Sequence, residues 1–187
     1  MPRLFVAIDF PPELQLGLSG LCIGMPGARW VQPGNFHLTL RFIGQVDDGI
    51  AAEINSALMR VNAPGFKLSL AGVGHFGCHT LWVGVEHNPA LMCLQAAIEV
   101  ELQQIGLPAD PRPFAPHVKL ARLSRRGGLR AFLARNANFR AEPFAVRQFS
   151  LIESHLGAHG PIYQHKTVYA LQQGRTPARC QENFIDD

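Results

Sequence analysis

Two stretches of one design, 80 residues apart, limit what this chain can fold into. In the first, Phe36-His37-Leu38-Thr39-Leu40-Arg41-Phe42-Ile43-Gly44, apolar residues at 36, 38, 40 and 42 alternate with His37, Thr39 and Arg41. The second, Pro116-His117-Val118-Lys119-Leu120-Ala121-Arg122-Leu123, repeats the layout. A period of two is that of a half-buried strand, which places alternate side chains on one face. Each strand is therefore predicted to present an imidazole and, two residues on, a second polar group. Used twice in one small chain, this pattern predicts an internal duplication. The expected form is two lobes, each a sheet backed by helices, facing each other across a groove.

The rest of the chain fits an α+β fold with antiparallel sheets. Residues 3–9 alternate and are read as a first strand rather than a leader peptide. Pro11-Pro12-Glu13 opens a helix with Leu14, Leu18 and Leu21 on one face. Arg29-Trp30-Val31 is a short extended piece, and Pro33-Gly34-Asn35 turns into the first histidine strand. Asp47-Asp48 caps a helix over 49–62. Strands are predicted at 66–74 and 80–86, then a helix at 89–105 closed by Gly106. Four prolines between 107 and 116 stiffen the approach to the second histidine strand. A short helix after Gly127-Gly128 and strands at 144–153 and 162–172 complete the order β-α-β-α-β-β-α-β-(α)-β-β. Strands that follow one another through short turns argue against a doubly wound parallel sheet. At 187 residues the chain fits one bilobal domain over 1–173, with a flexible tail from 174 that lacks periodicity.

Composition excludes several classes. Hydrophobic content of 47% with 17% charged residues is that of a folded chain, not a disordered one. No apolar run approaches the ~20 residues of a membrane helix. Cys22, Cys78, Cys93 and Cys180 are scattered without CxxC spacing and are read as reduced thiols of a cytoplasmic protein. The net charge of +3 is compatible with a phosphate-bearing ligand.

The paired strands allow a definite chemistry. Two imidazoles on either side of one ligand serve as base and acid, because an ordinary pKa of ~6.5 keeps both protonation states populated near neutrality. Thr39 offers a hydroxyl and Lys119 a charge to non-bridging phosphate oxygens. A phosphodiester needs that set, and no metal. One such histidine alone is more often incidental than catalytic; two, each followed by an arginine, reverse the balance. Other groupings are weaker. His75, Cys78 and His79 lack a second half for a metal site, and His155 and His159 have H-x3-H spacing on a strand-to-turn segment, where it does not align two ligands. The arginines of 125–140 are read equally as a solvated face or as RNA contacts.

To about residue 172 the chain resembles the 2H phosphoesterase superfamily, and within it the RNA 2′,3′-cyclic phosphodiesterase family, also known as 2′-5′ RNA ligases. The residues that carry the likeness are Arg3-Leu4-Phe5-Val6-Ala7-Ile8, Arg29-Trp30-Val31-x-Pro33, His37-Leu38-Thr39-Leu40-x-Phe42-Ile43-Gly44, Leu81-Trp82-Val83-Gly84-Val85, Pro116-His117-Val118-x-Leu120-Ala121-Arg122, Leu151-Ile152-Glu153-Ser154 and Gly160-Pro161-x-Tyr163. The resemblance implies metal-free hydrolysis of an RNA 2′,3′-cyclic phosphate end to a 2′-phosphate, without a cofactor; the chain is expected to act as a monomer. It implies His37 as proton donor and His117 as acceptor, and a reverse reaction that forms a 2′-5′ linkage. This chain departs from the family pattern at Lys119, where the second motif has Thr. A non-catalytic protein that binds cyclic-phosphate ends is the alternative this departure raises. Strand parity puts Arg41 on the His37 face, whereas Arg122 sits at an odd offset from His117 and needs a bulge to reach the groove; the family pattern favours Arg122. Trp30, Phe42, Phe76 and Tyr163 are all candidates for stacking the terminal base.

Overall fold

The computed structural model describes residues 1–77, 79–124, 127–157 and 160–173. Their elements are β1 (Arg3–Asp9), α1 (Pro12–Leu21), β2 (Ala28–Trp30), β3 (His37–Gln45), α2 (Asp48–Met59), β4 (Phe66–Leu68), β5 (Leu70–Phe76), β6 (Thr80–Val85), α3 (Pro89–Gln104), β7 (His117–Leu123), α4 (Leu129–Asn136), β8 (Phe144–Val146), β9 (Gln148–Gly157) and β10 (Gly160–Ala170). The helix starts follow local chemistry. Asp47 accepts from the Ile50 amide at 2.8 Å ahead of α2, Asn88 from the Leu91 amide at 3.0 Å ahead of α3, and prolines open α1 and α3.

Two expected strands are divided. The 66–74 stretch becomes β4 and β5, and the 144–153 stretch becomes β8 and β9. β4 and β8 pair with each other as a separate two-stranded sheet. At the breaks, the Ser69 carbonyl accepts from the Glu86 amide and the Arg147 carbonyl from the Leu171 amide, so the backbone changes partners without losing hydrogen bonds.

The remaining strands form one sheet in the order β10-β9-β1-β3-β7-β6-β5, with β2 also pairing to β7. Its two halves meet through a single register pair, Leu38 with Val118. Beyond it β2 takes the same edge of β7, pairing Ala28, Arg29 and Trp30 with Leu123, Arg122 and Ala121. All pairings are antiparallel.

One face of this sheet is covered by the helices. Leu4, Val6, Ile8, Leu38, Leu40, Leu81, Val83, Val118 and Leu120 pack there with helix residues such as Leu18, Ile54, Leu58, Leu94, Ile98 and Phe132, in one core shared by both halves. On the opposite face, Phe5, Ala7 and Ile152 form a small separate cluster with Tyr163 packed against it.

A β-bulge interrupts each histidine strand at the same place. On β3, Thr39 opposes Ala7 but Arg41 opposes Val6, so β3 has one residue more than β1 across that step. On β7, Lys119 opposes Trp82 but Ala121 opposes Leu81, so β7 likewise has one more than β6. Two successive residues therefore turn to the core, Leu40 with Arg41 and Leu120 with Ala121.

Cys93 is disulfide-bonded, against the expectation of four reduced thiols. Cys22 is free, and burial pushes its thiol up to about 11, which leaves it unreactive. The expectations for Cys78, Cys180, Arg125, Arg126, His159 and the tail from 174 fall on positions outside the described residues.

Candidate active site

His37 and His117 open β3 and β7 on either side of the Leu38–Val118 pair. Leu38 and Val118 face the core, so their neighbours His37, Thr39, His117 and Lys119 share the face free of helices. The two imidazoles are presented alike. His37 Nδ1 lies 2.8 Å from the Asn35 carbonyl, and His117 Nδ1 lies 2.8 Å from the Ala115 carbonyl. A carbonyl only accepts, so each Nδ1 carries its proton and each Nε2 is left for the groove. An aromatic ring stands edge-on to each imidazole: Tyr163 to His37 at 5.2 Å between centroids, and Phe76 to His117 at 4.8 Å.

The surroundings of the pair differ. Burial pushes the His37 imidazole below its ordinary value, and the positive charges of Lys119 and His117 push the same way. The bond to the Asn35 carbonyl and the Asp9 carboxylate act against that shift. Asp9 is the cross-strand neighbour of His37 on β1. Its Oδ2 accepts from the Ser150 hydroxyl at 2.7 Å and lies 3.6 Å from His165 Nδ1. Lys119 is itself held below the ordinary amine value, by burial and then by Arg122.

The bulges reverse the expectation from strand parity for the two arginines. Arg41 is turned to the core side and does not line the groove. It pairs with Glu99 at 3.4 Å and Asp110 at 3.5 Å, and donates to the Pro108 carbonyl. Arg122 is turned to the groove face, opposite Thr80 on β6 and Arg29 on β2.

The four aromatic candidates separate in the same way. Trp30 packs on the core against Phe132, with centroids 5.9 Å apart, and stands away from the groove. Tyr163 and Phe76 flank the histidines. Phe42 is returned to the groove face by the bulge, opposite Phe5, and lies under the Arg3 guanidinium at 5.2 Å. Phe5 was not anticipated from the sequence, nor was Asp9, although β1 alternation puts both on the His37 face. Trp82 was also missed; it opposes Lys119 and lies 5.3 Å from Phe76. A cavity of about 500 Å³ lies elsewhere, between the start of α2 and β9–β10, lined by Asn55, Glu153 and Lys166. No helix among the described residues is long and apolar enough to cross a membrane.

With this geometry in hand, known proteins of the same build can be compared. The family described as LigT like Phosphoesterase matches residues 8–80 and 83–163. An RNA 2′,3′-cyclic phosphodiesterase of Archaeoglobus fulgidus is 31% identical over 177 residues, spanning 89% of this chain and 99% of its own length. One from Thermotoga maritima is 32% identical over 180 residues, spanning 91% and 95%. The crystal structure of Escherichia coli LigT complexed with 3′-AMP is 27% identical, with a TM-score of 0.78 over 92% of this chain and all of that one. The α+β architecture expected from the sequence is the one these structures share with it.

Proposed function

Because the chain belongs to the LigT-like phosphoesterase family, we propose that it hydrolyses RNA 2′,3′-cyclic phosphate ends to 2′-phosphates, with His37 as proton donor and His117 as acceptor. The observation that carries this reading is the matched presentation of the two imidazoles, each with Nδ1 tied to the carbonyl two residues back. His117 Nε2 takes a proton from water as the water oxygen bonds to phosphorus. The bond from phosphorus to the 3′ oxygen breaks in line, and His37 Nε2–H protonates that oxygen. One proton enters at His117 and one leaves at His37, so exchange with solvent resets the pair. The two histidines supply both transfers, and the reaction calls on no metal or cofactor.

Thr39 and Lys119 hold the non-bridging oxygens, and Arg122, further along β7, adds positive charge to the groove beyond the reacting phosphate. Tyr163, Phe76 and Phe42 are the rings available to the terminal base. Run in reverse, the site joins a cyclic phosphate to a 5′-hydroxyl through a 2′-5′ bond. Action as a monomer is part of the proposal. One core common to both halves supports residues 1–173 as a single bilobal unit. Incubation with a cyclic-phosphate oligonucleotide in EDTA is expected to yield a 2′-phosphate end; a 3′-phosphate end would contradict the assigned leaving group.

A further inference from the structure

The two sides of the groove differ in charge. On the His117 side, the β7 bulge brings Arg122 onto the groove face, directly across from Arg29 of β2. Lys119 shares that face, and all three side chains are exposed. Among the described residues no carboxylate forms an ion pair with any of them, a state they share with other surface cations such as Arg3 and Arg147; what sets Arg29 and Arg122 apart is that they are direct cross-strand partners. Like charges directly opposed on neighbouring strands repel. An anion between Arg29 and Arg122 would turn that repulsion into two charge-assisted contacts.

Spacing separates this pair from the reacting phosphate. A strand rises ~3.3 Å per residue, so Lys119 lies ~7 Å along β7 from His117 and Arg122 up to ~17 Å. Arg29 is a further ~5 Å across the sheet. Lys119 therefore serves the phosphate between the histidines, while the guanidinium pair stands one phosphate further along the groove.

We propose that Arg29 and Arg122 form a second phosphate subsite, which holds the phosphodiester next to the cyclic end of an RNA strand. It makes a strand of two or more nucleotides a better substrate than a cyclic mononucleotide, and it rests on the reading of the histidine pair as a cyclic-phosphate site. The planar, permanently charged guanidinium suits phosphate, and two of them bracket it.

The test compares kcat/KM for a 2′,3′-cyclic mononucleotide and a dinucleotide with the same cyclic end. A third substrate carries a neutral methylphosphonate at the internal linkage. The dinucleotide is expected to be favoured about tenfold or more, as one charged hydrogen-bonding site supplies. That advantage is expected to vanish with the methylphosphonate and to fall about tenfold in Arg29→Met. Arg29→Lys, which keeps the charge on the same strand, is expected to retain most of it. The slope of log kcat/KM against log salt for the dinucleotide is expected to flatten by ~0.7 in Arg29→Met. Equal kcat/KM for the mononucleotide and dinucleotide in the wild type would overturn the subsite alone, as would an unchanged ratio in Arg29→Met. Equal losses in the Met and Lys variants would overturn its electrostatic basis. Turnover of none of the substrates by the wild type would overturn the cyclic-phosphate reading, and this inference with it.

Discussion

At the scale of single residues, the site turns on how His37 keeps a proton. Burial and the charges of Lys119 and His117 disfavour its imidazolium, yet a donor must be protonated when the 3′ oxygen leaves. In the proposed mechanism the substrate's own phosphate answers this: a monoanion between the histidines would offset the nearby cations and raise the proton affinity of His37, so that binding would load the donor. The signs of two substitutions follow. Lys119→Thr removes a positive charge, so the His37 pKa rises and the alkaline fall in kcat/KM moves to higher pH. Asp9→Asn removes a negative charge, so the pKa falls and that limb moves to lower pH. NMR titration of His37 together with the pH profiles checks both. An unmoved His37 titration in Lys119→Thr would separate Lys119 from the donor. The same variant addresses the binding-only alternative: if Lys119 had cost the protein its turnover, the wild type would be inert and the Thr variant active.

At the scale of elements, the two bulges decide which side chains reach the groove. By adding one residue at Leu40–Arg41 and another at Leu120–Ala121, they bury Arg41 and deliver Phe42 and Arg122. Arg41 then acts between the halves. From the His37 strand it grips Glu99 of α3 and the loop at Pro108 and Asp110 that leads to His117. Its contact with Glu99 is an ion pair rather than a hydrogen bond, since neither Arg41 Nε nor Glu99 Oε2 meets hydrogen-bond geometry. Arg41→Ala leaves the half-buried Glu99 without its cation and is expected to cost about 1–3 kcal/mol in urea unfolding. A loss under 1 kcal/mol would show that the tie does not hold the loop. Much of the element order was legible in the sequence, because alternation, caps and prolines are local signals. The helices at α2 and α3 begin within a residue of their expected starts. The β3 bulge was not legible, and the β7 bulge was called for only by the family pattern at Arg122, not by any local signal. Neither Leu40–Arg41 nor Leu120–Ala121 contains a glycine or proline, and a classic bulge keeps ordinary right-handed angles. Parity counted through them assigned Arg41 to the wrong face. The split at Ser69 escaped because alternation continues through it while the pairing partner changes; at Arg147 the pattern does skip, from Val146 to Phe149 with Arg147 and Gln148 both exposed, and that break was a legible signal.

At the scale of the whole molecule, a local twofold relation organises the fold. His37 and His117, Thr39 and Lys119, and the two bulges correspond across the Leu38–Val118 pair, while the rings beside the histidines come from non-equivalent strands, Tyr163 from β10 and Phe76 from β5. The duplication was visible in the sequence as two histidine strands. Their joining into one sheet through a single register pair was not, because pairing of distant strands leaves no local trace. Leu38 is fully buried at this seam. Leu38→Ala is expected to destabilise the protein by about 2–5 kcal/mol and to lower kcat more than it raises KM, since it loosens the distance between the two imidazoles. Urea unfolding and steady-state kinetics check this; a stability loss with unchanged kcat would show that the seam does not set that distance. The pairing of histidines across the seam is the central claim, and hydrolysis of a cyclic-phosphate oligonucleotide by His37→Ala and His117→Ala tests it most directly. Each variant is expected to lose about 10²- to 10⁴-fold in kcat/KM; retention of wild-type activity within tenfold by either one would contradict the two-histidine account.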